Sequence, residues 1–342
     1  MTTWARRRRS FSTVTVTAAN QGKSGLAIGS IACRSTLSVP ANGCVPYNIM
    51  GTGVADPSEA PPDATLTDLY VAVLDPPSIG RNLLGATRYD ALMDRYEPGV
   101  RSADIDRIFG EVRQWLPGLI TRVQAKQQNE RVMQPQGPFP AAAQRALNLD
   151  IMRLLGFDFD GGRLDDSTHP FTGGVPDDVR ITTRYREDQP LDALYSSIHE
   201  TGHGLYEQGL PAQLLGTGLG IHAGMAVHES QSRLWENQVA RSRGFWRCFE
   251  PRWRQLFPAQ TAALSSEELY LAVNAVEPTL IRVDADEVTY NLHIILRFEL
   301  EKRLFSGELA VRDLPAAWRA ASREIVGLEP ADDRTGVLQD VH

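Results

Sequence analysis

Two histidines and a glutamate share the five-residue stretch His199-Glu200-Thr201-Gly202-His203. On an α-helix, residues i and i+4 lie one above the other on the same face, so the two imidazoles can bind one metal ion. The carboxylate of Glu200 lies one residue after the first histidine, where it can reach a water molecule on that ion. The stretch therefore predicts a metal site on a helix, with a free carboxylate beside it.

A third metal ligand is predicted on a second helix, which follows a glycine-rich turn at residues 216–220. Glu229 lies on this helix and would complete a set of two histidines and one glutamate, the ligand set of thermolysin-like catalytic zinc sites. The neighbouring His228 is an alternative ligand. Adjacent helical residues point about 100° apart, so only one of the two should face the metal.

This ligand set predicts metal-assisted hydrolysis of an amide bond. Zinc lowers the pKa of a bound water and polarises the scissile carbonyl. Glu200 would take the proton of that water and return it to the leaving amine, so we expect a catalytic base and not a ligand. The alternative is a solvated helix that merely carries two histidines. An apolar stripe alongside the motif, formed by Leu191, Leu194 and Ile198, disfavours that alternative.

Composition and charge exclude several classes of protein. The 342 residues are 42% hydrophobic and 23% charged, as in globular proteins. The net charge of −7 argues against nucleic acid as a partner. No apolar run is long enough for a bilayer span, so we expect no membrane partner. The three cysteines are too few and too dispersed for a disulfide framework, which favours a reducing compartment, the cytoplasm.

The first 55 residues contain no acidic residue, and Arg6 to Arg9 form a basic cluster. This composition is typical of an organelle transit peptide, and a disordered tail or a segment from an incorrect gene model are the alternatives. Residues 55–66 are rich in Pro, Asp and Ala and indicate a linker. We therefore expect a disordered segment and linker at 1–66 and a catalytic domain at 67–342.

Hydrophobic periodicity becomes helical from about residue 86. The β-branched residues at 179–183 indicate one short strand. The predicted fold is mainly α, with a small β element. The main helices are expected at 102–123, 147–155, from Pro190 to Gly209 or Pro211, and at about 222–241, 286–305 and 313–326.

Five motifs, in this order, resemble those of the M32 metallocarboxypeptidases, and the resemblance is clear from about residue 86. The motifs are Asp178-Val179-Arg180-Ile181-Thr182, His199-Glu200-Thr201-Gly202-His203, His228-Glu229-Ser230-Gln231-Ser232-Arg233, Ile281-Arg282-Val283-Asp284-Ala285-Asp286 and Gly336-Val337-Leu338-Gln339-Asp340-Val341-His342. The resemblance implies a helical gluzincin fold, one zinc or cobalt ion per chain, a homodimer, and removal of single residues from peptides with a free C-terminus. It assigns the metal to His199, His203 and Glu229, and the general base to Glu200.

An enzyme that acts at a free C-terminus must recognise a carboxylate, which suits the planar fork of arginine. Arg282 and Arg180 are the candidates within the motifs, and structural ion pairs with Asp286 and Asp178 are the alternatives. His342 could donate a hydrogen bond to the developing oxyanion, with Asp340 orienting it. The expected substrate-binding residues are Arg180, Arg282, Asp178, Gln339 and Asp340.

The resemblance also implies a catalytic domain that is incomplete relative to the family. The family's long helical N-terminal half has no recognisable counterpart in residues 1–85, and its closing segment, which supplies a tyrosine near the reacting carbonyl, would follow His342. Three interpretations therefore remain open. The chain is an active metallocarboxypeptidase, a catalytically impaired zinc-binding fragment that binds peptides or a partner, or a zinc endopeptidase or dipeptidase.

Overall fold

The computed structural model describes residues 87–94, 96–130 and 132–340. The predicted segment and linker at 1–66 and the predicted oxyanion donor His342 lie outside these residues, as does the side chain of Asp340. The α-helices are α1 Arg88–Met93, α2 Ser102–Gln127, α3 Ala141–Leu155, α4 Pro190–Gln208, α5 Met225–Arg233, α6 Arg243–Leu256, α7 Pro258–Thr261, α8 Ser266–Val273, α9 Tyr290–Ser306 and α10 Leu314–Ala321. Two π-helical segments, Leu234–Val239 and Ser322–Val326, extend α5 and α10. Short 3-10 turns include Arg282–Asp284 and Val337–Asp340.

The prediction of a mainly α fold with a small β element is confirmed. The β element is a three-stranded sheet in the order β1-β3-β2, built from β1 Gly162–Asp166, β2 Phe171–Val175 and β3 Asp178–Thr183. β1 runs parallel to β3, and β2 runs antiparallel to it. Only β3 was predicted, because three of the five residues of β1 are glycine or aspartate and β2 is interrupted by Gly173 and Gly174, and these residue types are depleted in strands.

Local signals in the sequence set most helix ends. Gly156 ends α3 and Gly307 ends α9, each with a positive φ that glycine adopts without strain. Ser265 and Glu268 form a capping box at the start of α8. α9 begins at Tyr290, later than the predicted start at Asp286. The carboxylate of Asp286 accepts hydrogen bonds from the backbone of Val288 and Thr289, which closes a turn before the helix.

Two hydrophobic clusters hold the motif helix α4 in place. An aromatic cluster that includes Phe139, Trp253 and Phe257 packs against Leu194 and Ile198 of α4. A second cluster joins α3 to the sheet and consists of Met152, Phe157, Leu164, Val179 and Ile181. A Cβ added at Gly204 of α4 would lie 2.8 Å from Phe157 and 3.0 Å from Ile181, so α4 also packs closely against this cluster.

The third large cluster lies away from the sheet. It joins α2, α9, α10 and the C-terminal turn through Leu116, Ile295, Leu296, Trp318 and Val337. None of the helices in the described part of the chain is long and apolar enough to span a lipid bilayer.

Candidate metal centre

His199, His203 and Glu229 each point one ligand atom at a common position. These three atoms all lie within 4.8 Å of one another. The Oε2 atom of Glu229 is 3.6 Å from Nε2 of His199 and 3.2 Å from Nε2 of His203. Four ligands around a tetrahedral zinc, with bonds of about 2.0–2.2 Å, lie about 3.3–3.6 Å apart. Two imidazoles and a carboxylate at these distances fit a divalent metal ion.

The close approach of α4 and α5 brings Glu229 to the two histidines. A Cβ at Gly202 would lie 2.5 Å from Cα of Ser232 and 2.7 Å from the carbonyl oxygen of Gln231. These are backbone atoms, which cannot move aside cheaply. Gly202, inside the histidine motif, therefore lets the two helices meet, and Glu229 lies one turn before this contact.

Glu97 fixes the start of α5 from a distant part of the chain. The N-cap of α5 is Gly224, which has no side chain with which to cap the helix. Instead, the carboxylate of Glu97 accepts a hydrogen bond of 2.6 Å from the backbone N–H of Ala226, and Met225 N–H donates to the carbonyl of Tyr96. A carboxylate at a helix N-terminus is also favoured by the helix dipole.

Glu97→Ala should therefore lower the stability of the fold by about 1 kcal/mol, the typical loss for a helix cap. It should also weaken metal binding, because α5 carries Glu229. Glu97→Gln keeps an oxygen for the N–H of Ala226 and is the matched control. Thermal unfolding and metal titration of both variants check this. Equal melting temperatures and metal affinities for the two variants would show that Glu97 does not cap the helix.

Glu229 is held in its charged form. Burial favours its neutral form, but the close approach of His203 and the nearby His199 and Arg233 lower the pKa of Glu229 to about 2. Nε of Arg233 lies 3.1 Å from Oε1 of Glu229, and Oγ of Ser232 lies 3.1 Å from Oε2. The carboxylate is therefore anionic and held at both oxygens, as a metal ligand should be.

Glu236 orients His199 from the π-helical segment. Its Oε2 atom is 2.8 Å from Nδ1 of His199 and 3.1 Å from Nη1 of Arg233. Burial opposes ionisation of Glu236, yet the hydrogen bond with His199 and the charge of Arg233 keep its pKa below the ordinary value. Since a carboxylate accepts, Nδ1 of His199 donates and Nε2 is left for the metal.

Glu236 was not predicted from the sequence, although a signal for it exists. It follows Glu229 by seven residues, and residues i and i+7 share a helix face. Arg233, which lies four residues after Glu229, contacts both carboxylates.

Glu200 is 8% exposed and has one close side-chain partner, Thr172 of β2. Oγ1 of Thr172 lies 2.6 Å from Oε2 of Glu200 and 2.9 Å from its backbone carbonyl. The edge strand β2 thus carries a hydroxyl to the carboxylate. Thr172 was not predicted as a site residue, because it belongs to none of the five motifs and a single threonine gives no sequence signal for such a role.

Arg180 and Asp178 form a bidentate ion pair on β3, with distances of 3.1 and 2.8 Å. Successive strand residues point to opposite faces. Val179 and Ile181 are buried in the cluster next to α4, so Arg180 and Asp178 point to the other face of the sheet. The structure therefore brings these two residues together, but on the side of the sheet that is turned away from α4.

Arg282 and Gln339, which come from the last two of the five motifs, also meet. The backbone N–H of Arg282 donates to Oε1 of Gln339 at 2.9 Å, and that oxygen also accepts from Arg297. Nη1 of Arg282 donates to the hydroxyl of Tyr290 at 3.1 Å. The amide of Gln339 donates to backbone carbonyls, including that of Leu280 at 3.0 Å.

Tyr290 connects Arg282 and Gln339 to the candidate metal ligands. The guanidinium of Arg233 lies 4.1 Å from the centre of the Tyr290 ring, and Arg233 itself contacts Glu229 and Glu236. A cation over an aromatic face is a favourable contact. Arg282 is therefore joined to the candidate metal ligand Glu229 through two intervening side chains. Asp340 lies in the final 3-10 turn, next to Gln339.

Comparison with known proteins agrees with this geometry. The family model described as carboxypeptidase Taq (M32) metallopeptidase matches residues 79–342. Thermostable carboxypeptidase 1 of Thermus thermophilus is 49% identical over 255 residues, which are 74% of this chain and 50% of that protein. Carboxypeptidase 1 of Bacillus subtilis is 41% identical over 255 residues, which are 74% of this chain and 51% of that protein.

Solved structures give the same result. Metallocarboxypeptidase 1 of Trypanosoma cruzi has a TM-score of 0.71 at 42% identity, covering 76% of this chain and 53% of its own. The M32 carboxypeptidase from Deinococcus radiodurans R1 has a TM-score of 0.68 at 46% identity, covering 73% and 50%. The chain spans about half the length of the curated relatives it matches. The match over most of this chain, together with the histidine and glutamate cluster, shows that it belongs to the M32 family of carboxypeptidase Taq metallopeptidases.

Proposed function

We propose that this chain is the catalytic part of a zinc-dependent metallocarboxypeptidase that removes single residues from peptide C-termini. The observation that carries the proposal is the convergence of His199, His203 and Glu229, with the buried Glu200 on the same helix. Imidazole and carboxylate donors suit zinc, and cobalt(II) as an alternative. Membership in a metallopeptidase family and the names of the relatives support the same reaction class.

Each residue of the centre has a role in the proposed reaction. A zinc ion bound there would supply a Lewis acid and lower the pKa of a water molecule. Glu200 accepts a proton from the water and gives it to the leaving amine, as general base and then general acid. Thr172 holds the Glu200 carboxylate through its hydroxyl. Glu236 and Arg233 keep His199 and Glu229 in orientation.

We propose that Arg282 binds the free carboxylate of the substrate. Its backbone is held by Gln339 and one guanidinium nitrogen is held by Tyr290, so little conformational entropy is lost when a carboxylate binds. The side-chain amide of Gln339 makes its hydrogen bonds to other groups of the protein. Gln339 would therefore act on the substrate only through Arg282. Arg180, Asp178 and Asp340 stay predicted substrate contacts, and His342 stays a predicted oxyanion donor. The homodimer and the cytoplasmic location also stay predictions.

The test uses a peptide with a blocked N-terminus and the chain loaded with zinc or cobalt(II). Mass spectrometry should show successive losses of single C-terminal residues. Cleavage of the same peptide with an amidated C-terminus would favour an endopeptidase, since no carboxylate is then available to Arg282. Binding of one metal ion per chain without any peptide hydrolysis would favour the impaired, peptide-binding alternative. That alternative is worth testing because the match covers only half of the relative's length.

A further inference from the structure

His228 lies behind His203, on the side away from the metal position. Nε2 of His203 faces Glu229 at 3.2 Å, while its Nδ1 is 2.6 Å from Nδ1 of His228. The other nitrogen of His228, Nε2, is 2.7 Å from Oε1 of Glu207. His203, His228 and Glu207 thus form a continuous hydrogen-bonded line, here named the His–His–Glu chain.

The direction of each hydrogen bond in the His–His–Glu chain follows from chemistry. A carboxylate only accepts, so Nε2 of His228 donates to Glu207. A neutral imidazole has one N–H, so Nδ1 of His228 then accepts, and Nδ1 of His203 must donate to it. The remaining nitrogen of His203, Nε2, is left with its lone pair directed at the metal position. This is the tautomer in which a histidine binds a metal through Nε2.

The packing around His228 keeps its ring from turning. His228 is 8% exposed, and its ring is 4.8 Å from that of His203, 4.9 Å from that of Tyr206 and 5.3 Å from that of His222. The side chain of Glu207 is also largely buried. Water molecules therefore have little access to Nδ1 of His203 and cannot easily replace His228 as its hydrogen-bond acceptor.

We propose that His228, backed by Glu207, is a positioning residue that fixes His203 in its metal-binding tautomer and so raises the affinity of the site for a divalent metal. The inference rests on metal binding by His199, His203 and Glu229 as proposed above. The two histidine ligands are then held differently. His199 donates directly to the carboxylate of Glu236, whereas His203 reaches the carboxylate of Glu207 through a second imidazole.

The experiment measures the zinc dissociation constant of the full chain by competition with a chromophoric chelator. His228→Phe keeps a ring but offers no acceptor and should weaken zinc binding by about 10- to 100-fold, the usual effect of losing such a partner. His228→Asn keeps an acceptor near the position of Nδ1 and should recover part of that loss. The visible spectrum of the cobalt(II) form should change in His228→Phe, because the orientation of His203 changes.

His222→Asn is the control. It removes an imidazole that touches the His228 ring but lies outside the His–His–Glu chain, and it keeps an acceptor for the N–H of Gly224, so the zinc affinity should stay as in the unaltered chain. Glu207→Ala leaves both histidines in place and should lower the affinity by several-fold, a second test if His228→Phe does not fold.

Unchanged zinc affinity in folded His228→Phe, or in Glu207→Ala, would overturn the proposal. Equal losses in His228→Phe and His222→Asn would do so too, since general packing would then explain them. Failure of the unaltered chain to bind any divalent metal is a separate result, which would overturn the proposed metal site itself.

Discussion

Glu200→Gln is expected to abolish measurable peptide hydrolysis while the metal stays bound. Glutamine has nearly the shape of glutamate and can still accept the hydroxyl of Thr172, which lies 2.6 Å from Oε2. Its amide cannot take up a proton from water. General acid–base groups typically contribute about a hundred- to ten-thousandfold to the rate, so a loss of at least that range is expected.

The measurement pairs turnover of an N-blocked peptide with metal content after dialysis. Glu229→Ala is the contrasting variant, because it removes one of three ligand atoms and should lose both the metal and the activity. The turnover of Thr172→Val should fall between that of the unaltered chain and that of Glu200→Gln. Full activity in Glu200→Gln would remove Glu200 from the role of base. Loss of metal in that variant would instead make Glu200 a ligand.

Gly202→Ala is expected to destabilise the fold and to break the metal site at the same time. The added methyl would lie 2.5 Å from Cα of Ser232 and 2.7 Å from the carbonyl oxygen of Gln231, so α4 and α5 must move apart. Overpacking of this kind typically costs about 1–3 kcal/mol, and here both neighbours are backbone. The separation would also withdraw Glu229 from the histidines.

Thermal unfolding of the metal-free chain and the zinc dissociation constant check this prediction. Gly110→Ala is the matched control, because Gly110 lies in α2 and an added Cβ there meets nothing within 4 Å. That change should stabilise the helix by about 0.5–1 kcal/mol, as alanine is the better helix former. If Gly202→Ala melts like the unaltered chain and binds zinc as tightly, the helix contact does not set the metal site.

Helical spacing accounts for what the sequence could predict about the centre. His199 and His203 share a face because they are four residues apart, and Glu200 follows from its place beside them. Glu229 was predicted because a second helix follows a glycine turn. The structure brings all three predicted ligands together.

Several other groups of the centre depend on contacts between distant segments, which no local pattern encodes. Glu97 caps a helix that begins far along the chain, and Thr172 comes from a strand that is interrupted by Gly173 and Gly174. Gly202 could be read as part of the motif, but its contact with Ser232 depends on how two helices cross. His228 was weighed only as an alternative ligand, and its contact with His203 places it behind the metal position instead.

The position of Tyr290 bears on which bond is cut. Its ring lies against Arg233, which holds Glu229, and its hydroxyl accepts from Arg282. The metal position and the proposed carboxylate-binding arginine are therefore linked through Arg233 and Tyr290. If the substrate carboxylate lies on Arg282, as proposed, this link sets which bond lies at the metal position. Release of one residue at a time would then follow from the spacing of the two positions and would require no recognition of the departing side chain.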